Sequence, residues 1–421
     1  MRSRRPDLAF LGIMILALLL AAGLTWINYN FALNDPEGID FVPQWMGARL
    51  AIIEGQNPYS EETLKEIQNF IYKGREAYSW ENQYRFVYPY YAIAAFSPMA
   101  FTSDYILARA IWMTILVIST VSLTFASLAL TRWRPPRVVL AGFVLFALAG
   151  YHAFRPVYNG NPAIITALCL TFAFLSIQRG RDILAGILLS FSTIKPQVVL
   201  LILPFVLLWA VSHRRLRLVF SMTVAMLVLV VSSSILQPGW LTENVIQMIE
   251  YAKYAGPMTF GSILDERWPE VGSTLGWVLT AILLILMMVE WWGTLGKDVR
   301  HFLWTAGLTL AITNMIGIPT STSNYVVLIP VLTLVFSIWE QRWDVFGRNL
   351  VLICMLGLLG GLWWLYMATA GGRSGLDQSL LMFFPLPLFV FFTLYWIRHW
   401  AIGTVRLQIE ELEALKNLLS Q

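Results

Sequence analysis

Apolar runs long enough to cross a bilayer follow one another through nearly the whole chain, from Leu8 to about residue 398. A hydrocarbon layer about 30 Å thick takes roughly 20 helical residues per crossing. Open sheets and irregular chain cannot span it, because every backbone N–H and C=O must be bonded within the segment. After the first run, Leu8 to about Phe31, further runs lie at about 104–130, 138–155, 162–178, 182–194, 196–212, 217–236, 274–295, 301–318, 324–340, 348–370 and 379–398. The pattern predicts an all-α, polytopic membrane protein with about twelve transmembrane helices, two of them unusually short. Composition agrees: 13% of residues are charged and 57% hydrophobic, against about 25% charged in a soluble domain, and mean hydropathy is +0.64. A water-soluble enzyme is thereby excluded. Cys169 and Cys354 both lie in apolar runs and form neither a disulfide framework nor a metal-binding spacing.

The basic residues report orientation. Lys and Arg of short loops collect on the cytoplasmic side. With Arg2, Arg4 and Arg5 holding the N-terminus inside, Arg132/Arg134/Arg137, Arg179/Arg181, Arg214/Arg215/Arg217, Lys297/Arg300, Arg342/Arg348 and Arg398/Arg406 all fall on that side. The net charge of +4 therefore serves topology, and no nucleic-acid partner is expected. The same count makes Phe86 to Phe101, broken by Pro89 and Pro98, a half-inserted helix on the outer side, since a full crossing would turn every later cluster outward. One integral membrane domain results. Residues 1–31 form a signal-anchor helix, too long for a signal-peptide core. Residues 32–103 form an outer loop with juxtamembrane helices, 104–398 the bundle and 399–421 a cytoplasmic amphipathic tail with Leu407, Ile409, Leu412, Leu415 and Leu419 on one face.

Ionisable residues at the membrane are costly and mark functional sites. Here they gather outside. Asn34-Asp35-Pro36-Glu37-Gly38-Ile39-Asp40 places three carboxylates directly after the first span. Phe41 to Glu54 reads as an amphipathic helix ending at Gly55, and Glu61 to Ile71 as a second, opened by Ser60 as N-cap. An acidic turn beside two surface helices suits a general base at the lipid–water boundary, although capping alone also accounts for acidic residues there. Lys195, in Thr193-Ile194-Lys195-Pro196-Gln197, sits between two short spans where a partly desolvated ammonium seeks an anion such as phosphate; snorkelling is the plainer account. Arg155 is an outward arginine against the topological bias. Asn159 and Asn161 can bond hydroxyls, and equally can simply form the Asn-Gly-Asn-Pro turn. The loop 237–272 adds Glu250, Lys253, Tyr254, Asp265, Glu266 and Arg267, and 319–325 adds Ser321, Ser323, Asn324 and Tyr325. Trp45, Tyr59, Tyr78, Trp80, Tyr84, Tyr88, Tyr90 and Tyr91 form an aromatic belt that anchors the interface and can stack on sugars. No phosphate-binding glycine loop, dinucleotide motif or HExxH zinc motif occurs. His213, His301 and His399 lie at cytoplasmic ends and His152 inside a span, so a histidine-based outer site is not expected.

In order along the chain, these residues resemble the GT-C superfamily of polytopic glycosyltransferases, and most closely glycosyltransferase family 87. The family's Asp-Phe, aromatic, Ala-Arg, Gly and Asn-Pro-Tyr pattern reads here Asp40-Phe41, Trp45, Ala48-Arg49, Gly55 and Asn57-Pro58-Tyr59. Tyr88-Pro89-Tyr90 is similar to its Tyr-Pro-Pro element, Gly160-Asn161 to its Gly-Gln turn, and Lys195-Pro196-Gln197 to its Lys-Pro-Gln element. Ser321 to Tyr325 matches the late Ser-x-x-x-His-His-Tyr stretch in part, with Ser323 and Asn324 at the histidine positions. The resemblance covers roughly residues 8–345. It implies transfer of a sugar, typically mannose, from a polyprenyl-phosphate donor to a hydroxyl of a glycan or glycolipid acceptor on the outer face, with inversion. By the same resemblance Asp40 is the catalytic base, and Lys195, Arg155 and Arg267 stabilise the departing phosphate. Asp35, Arg49, Tyr59, Tyr88, Asn159, Asn161, Gln197, Asn324 and Tyr325 are candidate substrate contacts. Asp35, Glu37 and Asp40 are near enough in sequence to share a divalent cation, yet no spacing demands one, so no metal or other cofactor is expected. The expected location is the plasma membrane with both termini cytoplasmic, with the endoplasmic reticulum as the runner-up. A transporter or flippase would carry ionisable residues at mid-membrane and an internal repeat. Glu290 is the main carboxylate within a late span, near its inner end, and the two halves do not resemble each other. A binder of lipid-linked sugar without catalysis is the other alternative, suggested by the departures at Tyr90, Asn161 and Asn324.

Overall fold

The computed structural model describes residues 8–35, 38–255, 260–316, 321–369 and 379–403. Among them there is no strand. In chain order the helices are α1 (Leu8–Asn34), α2 (Val42–Arg49), α3 (Glu61–Ile71), α4 (Ile93–Ala100), α5 (Tyr105–Thr131), α6 (Arg137–Ala149), α7 (Tyr151–Tyr158), α8 (Ala163–Gln178) and α9 (Asp182–Ser192). There follow α10 (Pro196–Val199), α11 (Ile202–Ser212), α12 (Leu216–Leu236), α13 (Trp240–Ala255), α14 (Phe260–Arg267), α15 (Gly272–Thr294), α16 (Val299–Thr313), α17 (Ile329–Thr369) and α18 (Pro385–Ile402).

Six helical stretches among the described residues are long and apolar enough to cross a membrane, and α6 with α7, bent by 40° at Gly150, makes a seventh. The protein is therefore membrane-embedded. The expectation of about twelve crossings also counted the shorter helices α8, α9 and α11, the 15-residue α16 and both halves of α17. That helix bends at Asp344, whose φ of 43° is not helical. Phe86 to Phe101 contains only the short α4, entered by a 3-10 turn at Tyr90–Ala92. The tail from residue 404, with its expected amphipathic face, lies outside the described residues.

Contacts divide the chain into two compact units. The first comprises residues 1–121, 154–165 and 227–256. None of the apolar window of α1 is buried, so lipid is its main surroundings. Thr25 and Asn28 nonetheless reach Thr114 of α5 at 3.1 and 3.0 Å, the kind of polar contact that holds helices together in lipid. After α1 the chain turns at Gly38 into a 3-10 turn, Ile39–Phe41, and α2, which has Pro43 in its first turn. The last turn of that helix widens to a π-turn, Leu50–Glu54, closed by Gly55 at φ 67°. Ser60 caps α3 by accepting from the Thr63 N–H at 3.2 Å, with Glu61 and Glu62 favourably placed in the first turn. Leu64 and Ile67 are the buried apolar face of α3. Phe41 stacks on Trp112 at 5.8 Å, and Phe96 meets the same indole edge-on at 5.5 Å.

The second unit comprises residues 122–153, 166–226 and 257–421. Its helices α15, α16, α17 and α18 pack together, with α6 against α17. Among its described residues several charges are paired. Arg215 binds Asp182, Arg348 reaches Glu340 at 2.9 Å, and Arg398 reaches Glu290 at 2.9 Å. Trp133 also donates to Glu340 at 2.6 Å.

Candidate active site

Asp35 and residues 38–41 lie between α1 and α2, and long-range contacts hold them. The fully buried Arg109 of α5 donates to the Asp35 carbonyl and, at 3.2 Å, to the Tyr158 carbonyl, with its guanidinium 5.4 Å from the Tyr158 ring centre. Gly38 lies directly against that guanidinium, where a Cβ would collide with it. Tyr105 donates to the Gly38 carbonyl at 2.6 Å. On the other side, Gly160 adopts φ 68°, and a Cβ there would stand 2.6 Å from that of Phe41. Only glycine satisfies both conditions at that position.

Two carboxylates emerge from this frame in different settings. Asp35 is half-buried and accepts from the Tyr158 hydroxyl at 3.0 and 3.1 Å. Asp40 is exposed, and its Oδ2 accepts from the buried Asn159 amide at 2.8 Å. Asn159 thus fixes one oxygen of a carboxylate on an exposed residue. Gln44, one helical turn on, donates to the Asp40 carbonyl at 3.2 Å and to the Tyr88 hydroxyl at 3.0 Å. The Tyr88 and Tyr251 hydroxyls lie within the field of Asp40. Burial first, then neighbouring negative charge, pushes both phenols up, Tyr251 to about 12. Both therefore stay protonated and serve as donors at neutral pH.

The other candidates of this unit anchor the same surface. Tyr59 is buried and donates to the Tyr88 carbonyl at 2.8 Å; Arg49 donates to the Ala100 carbonyl at 3.0 Å. Asn57 donates to Glu243 of α13 at 2.9 Å, while Asn244 and Gln247 of that helix bond the carbonyls of Val87 and Tyr59. Asn161 uses its side-chain oxygen to accept from the Ala163 N–H at 3.1 Å and so caps α8. Arg155, on α7, is 7% exposed. Four contributors were not singled out from the sequence: Arg109, Gln44, Tyr158 and Tyr251. Arg109 carried a readable signal, as a charge inside the apolar run 104–130.

In the second unit, Lys195 is 3% exposed and stands at the N-terminal end of α10 with a non-helical backbone, φ −122° and ψ 84°. Gln197 is half-buried in the same short helix. Asn324 and Tyr325 are buried in the 3-10 turn Thr322–Leu328, and Tyr325 donates to the Phe383 carbonyl at 2.8 Å. The Arg267 side chain and Glu37 lie outside the described residues. Among the described residues no three His, Cys, Asp or Glu side chains gather into a metal-binding group.

The described residues are those of an all-helical, polytopic membrane protein. The model of glycosyltransferase family 87 matches residues 86–316, more than half of the chain, and the chain belongs to that family. It is a glycosyltransferase. The matched stretch contains Tyr88, Arg155, Asn159, Asn161, Lys195, Gln197 and Arg267; Asp35, Asp40, Arg49, Tyr59, Asn324 and Tyr325 lie outside it. No curated protein and no solved structure matches the chain.

Proposed function

We propose that this glycosyltransferase is of the GT-C type and moves mannose from a polyprenyl-phosphate donor to a hydroxyl of a glycan or glycolipid, with inversion, on the outer face of the plasma membrane. The observation that supports the reading is Asp40, an exposed residue whose Oδ2 is held at 2.8 Å by Asn159. In a single displacement the acceptor oxygen attacks the anomeric carbon and gives its proton to Asp40, while the bond from that carbon to the phosphate oxygen breaks. The electron pair leaves with the lipid phosphate. Lys195, with Arg155 and Arg267, offsets the growing negative charge, and a buried ammonium does so more effectively than a solvated one. The leaving group brings its own anion to headgroup level, so the step needs no nucleotide and no metal. Pairing of Glu290 with Arg398 favours an enzyme over a transporter, which keeps such carboxylates for its cargo.

The test is transfer from a short-chain polyprenyl-phosphate mannose to a membrane-lipid acceptor extract by protein in nanodiscs. Asp40→Asn should lower turnover at least about a hundredfold, the scale of a lost general base. Equal activity of both forms would assign Asp40 to structure alone, and absence of donor consumption by the wild type would remove the donor assignment.

A further inference from the structure

Between α3 and Tyr84 the chain forms a loop that displays two aromatic rings to solvent. Tyr78 and Trp80 are stacked at 4.9 Å with 17° between their planes, yet 51% of Tyr78 and 80% of Trp80 stay exposed. The loop beneath them is rigidly built. Arg75 grips Glu81 with two hydrogen bonds, of 2.6 and 2.7 Å, and its guanidinium lies 4.4 Å from the Tyr78 ring centre and 4.7 Å from that of Tyr72. Glu81 also accepts from the Tyr78 N–H at 2.9 Å. Gln83 donates to the carbonyls of Tyr78 and Glu81. The buried Gln68 of α3 secures the whole loop, donating to the Gln83 carbonyl at 3.1 Å and accepting from the Ala77 N–H at 3.0 Å.

An exposed apolar surface held this firmly marks a binding site rather than a packing remnant. The composition of the loop selects the ligand. Burial in the acyl region calls for Leu or Phe beside the rings. From Lys73 to Tyr84 the sequence offers no aliphatic side chain larger than alanine, and Lys73, Arg75, Glu76 and Glu81 share the loop with the rings, Arg75 and Glu81 contacting Tyr78. A flat apolar face rimmed by carboxylates, amides and a guanidinium matches a pyranose ring, whose C–H face stacks on indole while its edge hydroxyls exchange hydrogen bonds with the rim. The loop runs straight into Tyr88, which shares Gln44 with Asp40. Trp80 and Tyr88 are joined by at most about 28 Å of extended chain, within the span of a short oligosaccharide. We propose that Tyr78 and Trp80 form a sugar-stacking platform that holds the glycan chain of the acceptor. Naming that glycan as the acceptor rests on the transferase mechanism above; sugar binding itself does not.

The experiment is saturation-transfer NMR on the full chain in nanodiscs with three soluble probes, α-1,6-linked mannotriose, cellotetraose and chitotetraose. At least one should receive saturation on its ring protons. Trp80→Ala should weaken that binding by about threefold to tenfold, the loss of one aromatic contact, and Trp80→Phe should restore most of it. Because the indole is exposed, the alanine variant should melt with the wild type. Three outcomes would overturn the platform: no transfer to any probe, equal binding by wild type and Trp80→Ala, or Trp80-dependent fluorescence quenched by brominated acyl chains. Asp40→Asn separates the two readings. If it binds glycan normally but transfers nothing, both stand. If it transfers normally while Trp80→Ala loses glycan, the platform stands and the base assignment fails.

Discussion

Replacing Asn159 by aspartate tests the role of Asp40 through pH instead of through loss of activity alone. The amide nitrogen of Asn159 lies 2.8 Å from Asp40 Oδ2, and aspartate of nearly the same shape puts a carboxylate oxygen there. Two unit charges at that separation repel by about 1.5 kcal/mol in water and about 6 kcal/mol at an effective dielectric constant of 20. With one partner exposed and the other buried, the pair falls between these limits. At 1.36 kcal/mol per pKa unit, the upper ionisation of the pair rises by about 1 to 4 units. A general base works only when unprotonated, so the acid limb of the kcat/KM profile should move to higher pH by that amount. Activity is lost below the shifted limb and returns above it. Asn159→Ala, which removes a hydrogen bond to the ionised carboxylate and adds no charge, should lower kcat and move the limb in the same direction by a smaller amount. Profiles are measured in nanodiscs from initial rates of sugar transfer. Coincident acid limbs for the wild type and Asn159→Asp would refute the pairing of a catalytic carboxylate with this amide.

Two further perturbations address the frame and the anion site. Arg109→Met removes two charged hydrogen bonds to carbonyls of residues 35 and 158, a loss of about 3 to 6 kcal/mol, with Arg109→Lys recovering only part because one ammonium cannot span both; thermal melts that match the wild type would show the clamp to be dispensable. Lys195→Met should lower kcat about a hundredfold, the scale of one missing electrostatic donor, with acceptor KM unchanged in steady-state assays; unaltered kcat would place the phosphate elsewhere.

Much of the helical framework was legible because its causes are local. Ser60 and the two glutamates after it set the start of α3, and Gly55 ended the preceding helical segment as expected. Most apolar runs reappear as helices, including the break between the short helices at Lys195, although 138–155 is divided between α6 and α7 and the runs 324–340 and 348–370 share α17. What was not legible depends on residues far apart in the chain. No local pattern announces that Asn159 will hold Asp40, that Tyr158 will take Asp35, or that Gln44 will join Asp40 to Tyr88. The widened turn at Leu50–Glu54 and the kink at Asp344 likewise escape a fixed 3.6-residue period. Arg49 and Tyr59 show the opposite case. The resemblance marked them as candidate substrate contacts, and the folded chain ties both to backbone carbonyls.

The bare flank of α1 bears on how the enzyme is born. A helix with none of its apolar window buried inserts by itself, so Asp40 leaves the ribosome on the end of a lone anchor, without any of its distant partners. Synthesis of α5 then supplies Thr114 to dock that anchor and Arg109 to bind the Asp35 carbonyl. Tyr158 and Asn159 follow, and α13 with Tyr251 comes later still. The carboxylate is made early and equipped late. A nascent chain therefore carries Asp40 through most of translation without the groups that surround it in the folded protein, and one released before Tyr251 never completes that environment.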